Sequence, residues 1–280
     1  MSMLGQRVVT AVVLLALLVP ALFAPVPWPF GLLTLALIGA AGWEWGRLNQ
    51  LAMAPSLGLG AALALACAAA LGAGWSAAPP NAAWWVAAAL WVFGGAFALR
   101  SGPALWPHLP RLARLVLGLA ALWAAWLAMS HARHIGINFI LSVFCLVWVA
   151  DIAAYFGGRR FGKRKLAPTI SPGKSWEGVY SGMAGVFVLT LVWRAAESRL
   201  DTDSLSLYGR LIDQFGLLGG LAALAFLAGM SVVGDLMESL VKRAVGAKDS
   251  SRLLPGHGGV LDRIDALLPT FPLALALLSA

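Results

Sequence analysis

Apolar runs close to the length needed to cross a bilayer recur along almost the whole chain, at residues 8–27, 30–51, 57–77, 82–99, 112–129, 137–156, 178–196 and 215–233. A helix needs ~20 apolar residues to cross ~30 Å of hydrocarbon. In lipid, every backbone N–H and C=O must also find its partner within the segment. Together these demands exclude a soluble domain and leave a bundle of membrane-crossing helices. A ninth apolar run follows Asp262; it is short, carries Pro269 and Pro272, and stops at Ala280. The first run follows Arg7 as a secretory signal would. It is longer than a signal core, however, and Pro25 directly follows Ala24, the small residue a cleavage site would use, so it reads as a first span. The expectation is an all-α polytopic membrane protein with about nine transmembrane helices.

Orientation follows from the basic residues. With the N-terminus in the cytoplasm and the C-terminus outside, sixteen Lys and Arg lie on the cytoplasmic side and four, Arg133, Arg194, Arg199 and Arg210, on the other. That is the positive-inside bias, and it accounts for the net charge of +8. Cys67 and Cys145 both fall inside apolar runs and read as inert small hydrophobes. Two regions are expected: residues 1–134, a hydrophobic part of five spans, and residues 135–280, four spans with two charged cytoplasmic loops. Residues 197–213 read as an external loop, and Gly42, Gly46, Gly178, Gly182 and Gly185 as small faces for close helix contact. Two acids lie within spans. Glu44 is expected to snorkel or pair with Arg47. Asp151 is expected to face the bundle interior with a partner.

Only 11% of residues are charged, yet ten of them gather between Gly234 and Asp265. Asp235, Ser239 and Lys242 fall at helical spacing on one face, with Glu238 beside them. Gly246 reads as a helix stop, and Gly256, Gly258 and Gly259 allow backbone N–H groups to approach an anion closely. Interleaved acids, bases and glycines suit a polyphosphate together with a divalent cation. A second cluster runs from Asp151 through Tyr155, Gly157 and Gly158 to Ser171-Pro-Gly-Lys174-Ser175-Trp-Glu-Gly178. Its Gly-Lys-Ser imitates the end of a phosphate-binding P-loop, but Pro168 stands where the first glycine belongs, so that reading is rejected. What remains is a basic loop leading into a helix start, with Ser171, Ser175 and nearby backbone amides able to receive a phosphate.

The run Ser239-Leu-Val-Lys-Arg243, then Lys248-Asp249, then Leu254-Pro-Gly-His257-Gly-Gly-Val-Leu-Asp262-Arg-Ile-Asp265 resembles the signature of the phosphatidate cytidylyltransferases. The upstream cluster is similar to a second pattern of that family, with Ser175 where threonine is usual. The likeness covers the C-terminal half; the N-terminal half resembles the family only in being hydrophobic. It implies transfer of CMP from CTP to phosphatidic acid, giving CDP-diacylglycerol and pyrophosphate with Mg²⁺, for membrane phospholipid synthesis. The implied setting is the cell inner membrane, with CTP, phosphatidic acid and the bilayer as partners, no nucleic acid, and room for a homodimer. On this reading Asp235 and Asp262 hold the metal, and Ser239 ligates it or binds a phosphate. Lys242, Arg243 and Lys248 contact the CTP phosphates; Lys174, Ser171 and Ser175 contact one of the two substrates, and Asp151 lies beside them. His257 orients a phosphate or the leaving group. The alternative is a secondary transporter of an anionic solute. Such a protein would place its ionisable residues at mid-membrane in a repeated pair of broken helices, and no such repeat is visible here.

Overall fold

A computed structural model describes residues 3–280, with side chains placed from residue 5. The order is α1 (Met3–Phe23), α2 (Trp28–Leu48), α3 (Met53–Gly72), α4 (Asn81–Ala89), α5 (Gly95–Ser101), α6 (Arg111–Ile135), α7 (Ile137–Phe161), a hairpin of β1 (Lys165–Ala167) and β2 (Ser171–Ser175), α8 (Trp176–Glu197), α9 (Leu207–Ala244), α10 (Leu261–Ile264) and α11 (Leu267–Leu278). A π turn at Leu90–Gly94 joins α4 and α5 into one rod, and a 3-10 turn at Pro103–His108 leads to α6.

Among the described residues seven rods are long and apolar enough to cross a membrane: α1, α3, α4 with α5, α6, α7, α8 and α9. The protein is a mostly helical polytopic membrane protein. Helix α2 has 21 residues, but its Trp, Gly, Glu44 and Arg47 dilute its apolar character. The last apolar run departs from expectation. Helix α11 has 12 residues, a rise of ~18 Å, too short to cross ~30 Å unaided. Instead, residues 267–276 are buried throughout, packed against α9, α6, α4 and α7. The basic loop after α7 is also more ordered than expected. It forms an antiparallel hairpin, with Lys165 opposite Ser175 and Ala167 opposite Ser171.

The expected external loop at 197–213 is helical from Leu207 onward. Ser206 caps this start, its hydroxyl accepting from Gly209 N–H at 3.1 Å. Leu207, Tyr208 and Leu211 are fully buried, and the Tyr208 hydroxyl donates to Ser142 O at 2.8 Å. Helix α9 then runs on to Ala244, broken only at Gly216, whose φ of 70° leaves the helical region. The charged stripe after Gly234 is thus the end of a span rather than a separate helix. The small faces pack as expected: a Cβ at Gly178 would lie 2.9 Å from Ala154 O, and one at Gly182 would lie 2.9 Å from Ala150 O. Close approach of this kind holds α7 against α8.

Candidate active site

The stripe on α9 is a chain of contacts. Ser239 Oγ donates to Asp235 Oδ1 at 3.3 Å. One turn on, Lys242 Nζ donates to Glu238 Oε2 at 2.6 Å and to Asp262 Oδ1 at 2.5 Å. All three charged side chains are nearly buried. Two carboxyl groups thus share one ammonium in a low-dielectric setting. Among the described residues the second Glu238 oxygen, Oε1, finds no hydrogen-bond partner. An unpaired buried acceptor of this kind is costly.

Asp262 also organises the loop that follows α9. Its Oδ2 accepts from Ser250 N–H at 2.9 Å, Ser250 Oγ at 2.8 Å and Gly259 N–H at 2.7 Å. Burial alone would raise this carboxyl, but Lys242 and the Gly259 and Ser250 backbone donors outweigh it and hold Asp262 down to about 2. Gly256 (φ 74°) and Gly258 (φ 83°) take the left-handed turns that fold the loop back, and Leu254 bridges Gly258. The His257 N–H closes this turn on Leu254 O at 2.8 Å. Its ring Nδ1 is buried with no partner among the described residues.

The loop is gripped from the N-terminal half. Glu44, fully buried at 0% exposure, does not pair with Arg47, whose guanidinium donates to Leu51 O. Glu44 Oε1 accepts from Ser251 Oγ at 2.5 Å and Val260 N–H at 3.0 Å. Its Oε2 accepts from Leu261 N–H at 2.8 Å and, more loosely, Ser250 Oγ at 3.4 Å. Helix α1 adds two bonds, from Arg7 Nε to Gly256 O at 3.1 Å and from Thr10 Oγ1 to Pro255 O at 2.8 Å.

The hairpin docks on α9 from the other side. Lys174 Nζ lies 2.7 Å from Asp235 Oδ2, and Arg243 Nε reaches Ile170 O at 3.4 Å. Glu177 fixes the hairpin base, Oε2 accepting from Lys163 N–H at 3.0 Å and Arg164 N–H at 3.1 Å. The Ser175 hydroxyl accepts from Gly178 N–H at 3.2 Å and so caps α8. Asp265 lies close by. Burial, then the carboxylate of Asp235 and more weakly that of Asp151, push it up to about 7 against its own Ala266 N–H and Lys242. Asp151 is exposed on its helix face rather than packed in the interior.

The structure therefore brings together Asp235, Ser239 and Lys174, and separately Lys242, Glu238 and Asp262. Asp235 and Asp262 share no partner; each has its own lysine. Arg243 and Lys248 are exposed, as is Gly173 in the middle of β2, while Ser171 is half-buried at the start of that strand. The sequence reading had not placed Glu238, Ser250 or Glu44 at the site. Glu238 was legible four residues before Lys242; Glu44, some two hundred residues from its partners, was not. Among the described residues no three His, Cys, Asp or Glu side chains converge to hold a metal on their own. The donor set still fits Mg²⁺, which takes oxygen ligands and is commonly held by one or two carboxylates together with substrate phosphates.

Comparison with known proteins places the chain in a family. The sequence profile of the cytidylyltransferase family matches residues 5–280. A phosphatidate cytidylyltransferase from Pseudomonas aeruginosa is 38% identical over 99% of this chain and 98% of its own length. Phosphatidate cytidylyltransferases from Haemophilus influenzae and Staphylococcus epidermidis are 46% and 35% identical over 51% and 58% of this chain, covering 46% and 57% of their own lengths. With the profile and a full-length relative both matching across the region that builds the site, the chain belongs to the cytidylyltransferase family.

Proposed function

We propose that this chain transfers the CMP group of CTP to phosphatidate at the cytoplasmic face of a bacterial inner membrane. The observation that carries the reading is the docking of the two motif segments, joined by Lys174 and Asp235 one and two turns before the Lys242 cluster on the same helix. A phosphatidate oxygen attacks the α-phosphorus of CTP; the new P–O bond forms as the bond to the β-phosphate oxygen breaks, and pyrophosphate leaves. A phosphate oxyanion is already a nucleophile, so no strong base is required. The protein's work is positioning and neutralising charge. Lys174 and Lys242 supply positive charge on either side of Asp235, and Arg243 and Lys248 extend it into the cytoplasm. Ser171 lies at the start of the hairpin strand, while Ser175 acts through the cap that orients the α8 N-terminus. His257, in the glycine turn, is the residue proposed to orient a phosphate or the leaving group. Mg²⁺, when bound, neutralises phosphate oxygens; Asp235 and Asp262 are the residues proposed to hold it, with Asp265 beside Asp235. Labelled CTP and phosphatidate given to the purified protein test the reading. Pyrophosphate release that requires both substrates supports it, and release without phosphatidate, or none at all, overturns it.

The topology proposed is N-terminus inside and C-terminus outside. In support, Gln214, on the far side of the Gly216 break from the motif, donates to Ala280 O at 3.2 Å, so the chain end lies at the opposite end of α9 from Lys242. Thr202→Cys is expected to react with an impermeant thiol reagent added outside, and Arg164→Cys to be protected. Labelling of both, or the reverse pattern, removes the assignment.

Lys242 offers a kinetic test of substrate assignment. Lys242→Ala is expected to raise the KM for CTP by ~10-fold or more, as a charge-assisted phosphate contact predicts, with a smaller change for phosphatidate. An unchanged CTP dependence takes Lys242 out of the nucleotide site.

A further inference from the structure

Beside the charged cluster lies a cavity of about 270 Å³ whose wall is almost wholly apolar. It is bounded by the π turn and α5, by the 3-10 turn and α6, and by the face of α9 that carries Met237, Glu238 and Val241. Leu261 closes it next to Asp262. Its outer wall includes Phe97 and Leu117, which are 62% and 41% exposed, so it opens toward the surface that faces lipid. Its inner end is Glu238, the carboxylate held by Lys242.

An apolar cavity of ~150 Å³ holds a benzene ring, so this one accommodates a chain of roughly ten carbons. Three buried polar atoms of lining residues have no hydrogen-bond partner among the described residues: Glu238 Oε1 and the indole nitrogens of Trp91 and Trp106. Buried polar groups in folded proteins are nearly always paired, so these point to a ligand that is not purely hydrocarbon. The two indoles are donors, and the ester carbonyls where acyl chains join glycerol are acceptors. We propose that this cavity, between the π turn at Leu90–Gly94 and α9, receives one acyl chain of the phosphatidate substrate and its ester linkage. The chain enters from the bilayer while the phosphatidate head group stays at the charged cluster beside the cavity. The inference rests on the reaction assigned above and adds to it where the lipid tail goes.

The wall includes a position suited to a test. A Cβ at Gly94 would meet only Leu90, at 3.6 Å, and the backbone there is helical, so a large side chain can fill the space without straining the turn. Gly94→Phe is assayed against wild type with dihexanoyl and dioleoyl phosphatidate; the variant-to-wild-type ratio at each length removes differences in micelle partitioning. The expected result is a rise of ~10-fold in KM for the dioleoyl substrate and a smaller rise for the dihexanoyl substrate, whose shorter chain fills only part of the cavity, with the CTP KM within ~3-fold of wild type. No loss with either length, or a CTP KM that rises as much as the lipid KM, overturns the inference while leaving the reaction in place. Wild-type protein without phosphatidate-dependent transfer overturns both. If Gly94→Phe fails to fold, Ala98→Phe fills the same cavity from α5 and is read in the same way. A second readout needs no turnover: dioleoyl phosphatidate bearing a diazirine on one chain should label residues 90–98, 117–122 or 237–241. Labelling confined to residues outside this wall also overturns the inference.

Discussion

Asp235→Asn and Asp262→Asn are expected to express and insert normally, yet to lose ~10²-fold or more in turnover, about 2.7 kcal/mol of transition-state stabilisation. Asp235 holds Lys174 at 2.7 Å and Asp262 holds Lys242 at 2.5 Å. Each carboxylate therefore places a lysine proposed to bind phosphate and offers an oxygen to the proposed metal. Neutralising it removes a ligand of the proposed Mg²⁺ and loosens a lysine. An amide of the same shape leaves the helix intact, so the loss should appear in rate and in Mg²⁺ response rather than in yield. Asp201→Asn, in the loop between α8 and α9, should stay close to wild type. Turnover above about a tenth of wild type in both motif variants removes the metal assignment. A further comparison is built into the geometry. Asp262 Oδ2 already accepts three hydrogen bonds, whereas Asp265 stands close enough to Asp235 for that carboxylate to raise it. If Asp265→Asn abolishes the Mg²⁺ response and Asp262→Asn only lowers stability, the metal pair is Asp235 with Asp265.

Glu44→Ala is expected to be the most damaging change in the N-terminal half. Glu44 lies outside both charged segments, yet two backbone N–H groups and the Ser251 hydroxyl depend on it at 3.0 Å or less. Removing it leaves the Val260 and Leu261 donors buried without a partner, at ~1–3 kcal/mol each, so a total of about 2–6 kcal/mol is expected. The loop that positions Asp262 then loses its anchor. Two measurements check this: a lowered Tm in detergent, and a kcat that falls ~10-fold or more with little change in KM for CTP. Glu44→Gln keeps one acceptor and should fall between wild type and alanine. An Arg47→Ala control should leave kcat unchanged, because Arg47 bonds only locally to Leu51 O. A Glu44→Ala protein with wild-type Tm and kcat shows that the loop holds its own shape.

The site was legible in the sequence where its chemistry is local. The i, i+4 spacing of Glu238 and Lys242 became the 2.6 Å contact in the structure, and the glycines of the turn took left-handed φ values. The Ser175 hydroxyl was legible as part of a helix start but not as its cap, since capping depends on where the helix begins. The hairpin at 165–175 was missed because its two strands are very short and hold place partly through Glu177 and Arg243, not through an alternating pattern.

By itself the sequence determined that lipid is this protein's solvent and that its long apolar runs are helical. Helical hydrogen bonds join residues four apart, so a continuous apolar run is sufficient to specify them. Only the tertiary structure decided that the final apolar run is a buried half-length helix, that Lys174 meets Asp235, and that Glu44 holds the loop at 250–261. Those contacts join residues 61 to 217 positions apart. No local period encodes such a distance. A buried carboxylate takes whichever N–H groups the packing of the helices brings to it, and that packing is settled only when the whole bundle closes.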